Sequence, residues 1–218
     1  MAEKPLQRKS APTQSPAGFD PFRDRLSRDI RNDLSRCFGQ SLADESLFPV
    51  EELCAALLKR DLRRCYREYV ETRLELYRRA FDRLQKSGRD PILQGLILWD
   101  LRLFFEMHEV LEHAWHHSEG DRRMLLQSMI RAAGVYIKLD HGYYRQAAKL
   151  AEKACAALEK HGSALRGYFA PQELIAALRS LNPVPPILLS QSFSEINPSQ
   201  GEIKHVRREE GSFKKGFH

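Results

Sequence analysis

The chain has 218 residues, of which 42% are hydrophobic, with a net charge of +6 and a mean hydropathy of −0.51. That is the size and polarity of one folded unit with tails, and the longest apolar run, Ile92 to Trp99, is interrupted by Gln94 and Gly95 and is far short of the roughly 20 residues a membrane span needs. The first residues lack the apolar stretch of a secretory signal, and Cys37, Cys54, Cys65 and Cys155 are too dispersed for a cysteine metal site, so reduced thiols in a cytoplasm are expected.

Residues 1–18 are rich in Pro, Ser, Gln and Lys and are expected to be disordered. Pro21 after Asp20 marks a helix start, and Phe22, Leu26, Ile30, Leu34 and Phe38 recur every fourth residue up to Gly39, where that helix should end. Gln40 to Pro49 reads as a loop. From Val50 a helical pattern resumes; Leu58, Leu62, Cys65, Tyr69, Leu74, Tyr77, Phe81 and Leu84 hold one apolar stripe to Ser87-Gly88. The opposite face interleaves Arg60, Arg63, Arg64, Arg67, Arg78, Arg79 and Arg83 with Glu68, Glu71, Glu75 and Asp82, which is the pattern of a solvated face more than of a polyanion strip.

Pro91 permits a new start, and Ile92 to Trp99 reads as a short buried helix. Asp100 is a candidate cap for the next helix, and that helix should stop around Ser118 to Gly120. It holds the densest chemistry of the sequence: His108, Glu109, Glu112 and His113 among Phe105, Leu111 and Trp115. Residues four apart share a helix face, so His108 and Glu112 can hold one divalent metal or orient one another, and Glu109 with His113 forms a second pair about 100° round the axis. Apolar neighbours should leave these groups partly desolvated. A zinc-protease helix would carry a second His at position 112, where this chain has Glu, and two ligands alone do not complete a zinc site.

Asp121 should cap the following helix, which Met124, Leu125, Met129, Ile130, Ala133, Tyr136 and Ile137 make apolar over most of its circumference, an interior helix. Ala132, Ala133 and Gly134 would let a neighbour approach closely. Gln127 and Arg131 need partners if buried, and the carboxylates of Glu109 and Glu112 are the natural candidates. Gly142 ends this helix; Tyr143 to His161 forms the next, with Ala147, Leu150, Ala154 and Leu158 inward, and Pro171 to Leu181 a last short one. Asn182 to Pro186 cannot continue it, Ile187 to Leu189 are expected along the bundle, and residues 190–218 are polar and expected to be disordered. Neither a phosphate-loop spacing nor a Gly-x-Ser-x-Gly motif is present. The expected architecture is all-α: a multihelical bundle of six or seven helices with disordered N- and C-terminal tails. It divides into a tail (1–18), an N-terminal helical pair (19–88), a motif-bearing helical bundle (89–189) and a flexible basic tail (190–218).

The motif helix resembles a known family. His108-x3-Glu112-x2-Trp115, preceded by Phe105-Glu106-Met107 and followed at once by Glu109, is similar to the signature of a prokaryotic family known only as domain of unknown function 309. Leu126-Gln127 and Gly142 match where that family opens and closes its next helix, and the resemblance covers about residues 90–182. It implies a sharp turn before the motif helix, hence a break near Asp100 to Leu103, and an all-helical site suggested to bind metal, with no established reaction. On this reading His108 and Glu112 are metal ligands, Glu109 is an acid/base or a further ligand, and Glu106 supports them. Gln127 and Arg131 contact a ligand or orient and neutralise the carboxylates, and Trp115 walls the pocket. The implied cofactor is a divalent metal, the implied partner a small molecule, and the implied chemistry hydrolytic. Two alternatives stand beside it. The motif can be a buried structural polar network in a non-catalytic interaction protein, or the basic helix and tails can bind RNA or another polyanion, against which counts the lack of an aromatic-basic recognition motif. The sequence leaves oligomeric state open, a homo-oligomer included.

Overall fold

A computed structural model describes residues 17–189, and the expectations of disorder for residues 1–16 and 190–218 fall outside them. Among the described residues the chain forms eight α-helices and no strand: α1 (Arg25–Ala43), α2 (Phe48–Leu58), α3 (Arg64–Lys86), α4 (Pro91–Asp100), α5 (Phe104–His116), α6 (Gly120–Asp140), α7 (Tyr144–His161) and α8 (Pro171–Arg179). The all-α multihelical bundle is therefore the fold. No helix among the described residues is long and apolar enough to cross a membrane.

Helices α1, α2 and α3 pack on one another, α3 meets α4, and from α4 onward each helix packs on the next. The N-terminal pair expected over 19–88 is thus three helices. The apolar stripe read as one long helix from Val50 bends at Lys59 to Arg63, yet Leu62 stays in the core on the far side of the bend and Arg67 donates to the Leu58 carbonyl at 2.9 Å, covering the end of α2. Apolar periodicity reports which face is buried, not whether the backbone is continuous.

The start of α1 also moves. Asp24, not Asp20, is its N-cap: its carboxylate accepts from the Ser27 amide at 2.9 Å and the Ser27 hydroxyl at 2.6 Å, and takes the Tyr66 hydroxyl at 2.9 Å. Asp20 closes a turn on the Phe22 amide instead. The helix runs through Gly39 to Ala43, because its inward residues Ile30, Leu34, Phe38 and Ser41 continue the buried stripe past the glycine. No atom lies within 4 Å of where a Gly39 Cβ would stand. Relative to alanine this glycine costs the helix about 1 kcal/mol.

Helices α4 and α5 form a tight hairpin. Asp90 caps α4 through the Ile92 amide at 3.0 Å, ahead of Pro91. The expected break near Asp100 to Leu103 is a reversal in which Arg102 takes a left-handed φ of 58° while the Leu103 amide reaches back to the Leu98 carbonyl at 2.9 Å. Gly95 lets the arms meet: a Cβ there would stand 3.0 Å from Leu111. Asp100 does not cap α5. It ends α4 and accepts from the Leu188 and Leu189 amides at 2.8 and 3.0 Å, while the Trp99 indole donates to the Pro186 carbonyl at 2.8 Å. The segment after Asn182 is thereby tied along the bundle, with Leu188 and Leu189 buried and Ile187 outward.

Glu119, not Asp121, precedes α6, and Met124 is exposed, but the helix is otherwise the interior one expected. Tyr136 stacks on Phe104 and meets Trp99 edge-on, joining α4, α5 and α6. Ala132 and Ala133 are fully buried, and Leu150 of α7 lies 3.3 Å from where a Gly134 Cβ would be.

One polar network ties the N-terminal helices to the hairpin. Glu106 on α5 is 3% exposed; its Oε1 accepts the Tyr77 hydroxyl at 2.6 Å and its Oε2 stands 3.6 Å from Arg73 Nη1. Burial works against a charged guanidinium, but Glu106 together with Tyr69 and Tyr77 offsets this and raises the Arg73 pKa. Next to Arg73 is a void of about 20 Å³, the size of one water, also lined by Asp140, Arg31 and His141. Burial pushes the Asp140 carboxyl up to about 6, against the opposing pull of Arg73 and Arg102.

Two outcomes follow from these buried charges. Arg73→Met leaves Glu106 as a buried, uncompensated acid and should lower the unfolding free energy by about 3 kcal/mol in urea titration, and adding Glu106→Gln should restore most of the loss. Asp140 binds its proton more tightly folded than unfolded, so its contribution to stability is fully present below pH ~4 and lost as pH rises to ~6. Asp140→Asn should therefore be more stable than the parent by about 2 kcal/mol at pH 7.5 and equal to it near pH 4, as read by denaturation at the two pH values.

Candidate metal centre

Helix α5 presents its inward face, Phe104, Met107 and Leu111, to the core. With these positions fixed, His108, Glu109 and Glu112 fall on the outer side. His108 Nδ1 lies 3.4 Å from Glu109 Oε1 and 3.8 Å from Glu112 Oε2, and one donor atom from each of the three residues lies within 4.8 Å of the others. Donor atoms bound to a common ion at about 2.0–2.2 Å stand roughly 3–3.5 Å apart. The first separation already matches that spacing, and a small rotation of the Glu112 side chain brings the second to it. His108 Nδ1 is itself buried and has no hydrogen-bond partner, an orphaned lone pair or N–H directed at two carboxylates. The donor set therefore fits a divalent ion.

The surroundings differ from the expectation of a desolvated hollow between helices. The His108 side chain is 31% exposed, that of Glu109 51% and that of Glu112 45%, so the cluster stands on a ledge open to water. The remaining expected members are elsewhere. Glu106 is turned into the interior, engaged by Tyr77 and Arg73. Trp115 lies under the Arg123 guanidinium, 3.9 Å from its ring centre, and edge-on to His116. Gln127 and Arg131 are half-buried on α6, and among the described residues neither makes a hydrogen bond or ion pair with Glu109 or Glu112. His113 leans towards His117, with ring centres 5.0 Å apart, and is exposed.

A buried polar network exists, but it is not the motif. It was legible as a misplaced charge: Arg73 lies four residues after Tyr69 and four before Tyr77, inside the apolar stripe. The exposed arginines of α3 are partly neutralised, Arg64 by Glu68 at 2.6 Å and Arg78 by Glu51 at 2.7 Å, as a solvated face would be.

The face of α5 beside the triad, with α1 and the start of α4, borders an open groove of about 1190 Å³. Glu109 and His113 line it; His108 and Glu112 do not. The groove had no counterpart in the sequence reading, because it depends on how α1 lies across the hairpin.

Comparison with curated proteins and with solved structures finds no match for this chain. Residues 92–150, which hold the α4–α5 hairpin, α6 and the first turns of α7, match the family model described as domain of unknown function (DUF309).

Proposed function

We propose that this protein binds a divalent metal ion through His108, Glu109 and Glu112 and presents it to a small molecule arriving from solvent. The convergence of three donor atoms from little more than one helical turn, one of them a buried ring nitrogen with no other partner, carries this reading. Three mixed nitrogen and oxygen donors leave coordination positions free, the pattern of catalytic rather than structural sites. One imidazole with two carboxylates suits zinc or manganese better than calcium. A bound ion would supply Lewis acidity of the kind used in hydrolysis of carbonyl or phosphoryl compounds. Glu109 acts here as a ligand and not as a detached base, because its oxygen is the nearer of the two carboxylates to the imidazole. Glu106 holds α5 in place without touching the ion. The competing structural reading of the motif loses its support, since the stabilising buried acid is Glu106 and the triad is half in water.

Metal content and titration decide the point. Untagged protein prepared without chelator should carry or take up about one equivalent of zinc or manganese and melt at higher temperature with added ion. His108→Ala and Glu112→Gln should each weaken metal binding at least about tenfold. Without metal, the same variants should change stability by less than about 0.5 kcal/mol, as exposed positions do. Melting that ignores both ions, or variants that bind as the parent does, would sink the proposal.

A further inference from the structure

The groove between α1 and the α4–α5 hairpin has a built-in charge with no partner. Arg31 is half-buried at its edge, its guanidinium 3.9 Å from the centre of the Phe105 ring and hydrogen-bonded only to the neutral Asn32 side chain, at 2.9 and 3.1 Å. Among the described residues no carboxylate stands within ion-pairing distance of it, whereas Arg36, one turn on, is paired with Asp33 at 2.7 Å. The floor is apolar, formed by Phe38, Leu42, Leu98 and Val110. From Arg31 to Ala43 it follows α1 for roughly 18 Å. Gly39 faces this space with nothing near its missing side chain, so the helix forgoes a Cβ where one would narrow the groove.

The geometry points to a binding site for a monocarboxylate with a linear apolar body, its carboxylate forked on the Arg31 guanidinium and its chain along the groove floor. A planar guanidinium stacked on an aromatic ring, with Nε and Nη2 on the neutral Asn32 oxygen and Nη1 still to be engaged, is suited to recognition of a carboxylate through its Nη1–Nη2 edge. A single negative charge matches the half-buried Arg31, since the other arginines lining the groove, Arg36 and Arg89, are exposed and Arg36 is paired with Asp33. A phosphate monoester would bring a second charge towards Glu109, which lines the same groove. The proposal stands on Arg31, Gly39 and the apolar floor and does not require the metal reading, since His108 and Glu112 do not line the groove.

Calorimetric titration of the full chain with decanoate, decanol and decyl phosphate, all below their micellar concentrations, tests it. Decanoate should bind with one-to-one stoichiometry, at least about tenfold tighter than decanol or decyl phosphate. Arg31→Gln should reduce decanoate to the level of decanol. Gly39→Leu should abolish binding of both while melting no lower than the parent, because leucine favours a helix interior more than glycine does. Glu112→Gln should bind decanoate unchanged, which separates this site from the metal ledge. A decanoate carrying a terminal diazirine should label peptides from α1 and α5 in the unaltered protein, a readout independent of any variant. Equal binding of decanoate and decanol, tighter binding of decyl phosphate, retention in Gly39→Leu, or labelling confined to other helices would each overturn the proposal.

Discussion

A guanidinium from α3 and a carboxylate from α5 meet out of reach of bulk water, Arg73 against one oxygen of Glu106 while the Tyr77 hydroxyl holds the other. Such a pair is weak evidence of net stability, since desolvation offsets much of the attraction. Its consequence is geometric. Glu106 can face only one way, so the rotation of α5 about its own axis is set. At 100° per residue, His113 then lies about 20° from Glu106, Glu109 about 60°, Glu112 about 120° and His108 about 160°, all to the same side. The groove and the cluster of His108, Glu109 and Glu112 occupy adjoining strips of one helix surface, and Glu109 belongs to both. Tyr77 extends the constraint to the groove floor, because its ring stacks on Phe38 of α1 with centres 4.2 Å apart.

The helical bundle could be read from the sequence because each helix buries one face, and burial imposes periodicity on residues a single chain displays. Ile92 to Trp99 and the apolar circumference of α6 are local signals, and they predict local structure well, whereas the break before Phe104 follows from the family resemblance. Two failures share a cause. Propensity alone makes Gly39 a stop and pattern alone makes Leu58 to Leu62 continuous helix, but the neighbours that decide both lie elsewhere in the chain. The Asp24 cap, secured by Ser27 and by Tyr66 from 42 residues away, sets where α1 begins, and the core continues it past the glycine.

For the site, the spacing of His108, Glu109 and Glu112 was sufficient to place their side chains together, since one helical turn needs no tertiary information. What surrounds them was not. The family signature brings Trp115 to the site and the need of a buried cation for a partner brings Arg131, but Trp115 lies under Arg123, three residues into the next helix's first turn, and Arg131 pairs with neither acid. Arg73 and Arg31 were invisible as members of this region because they arrive from helices that only the fold brings to α5.

Three local choices in this part of the chain work against stability. Glu109 and Glu112, three apart on one helix, place like charges side by side, which costs a few tenths of a kcal/mol. Arg31 loses hydration at the groove edge without gaining an ion pair, and burial lowers its pKa against the weaker, longer-range pull of Tyr69, Glu106 and Glu109. Gly39 weakens the middle of α1 and packs against nothing. Each would be removed at no loss to the core by a neutral side chain. Sequences specify a fold when local preferences agree with the global structure, and departures that gather in one place mark positions held for another reason. Here they gather on α5 and on the part of α1 that faces it, where three donor atoms converge and an unpaired cation borders an apolar channel.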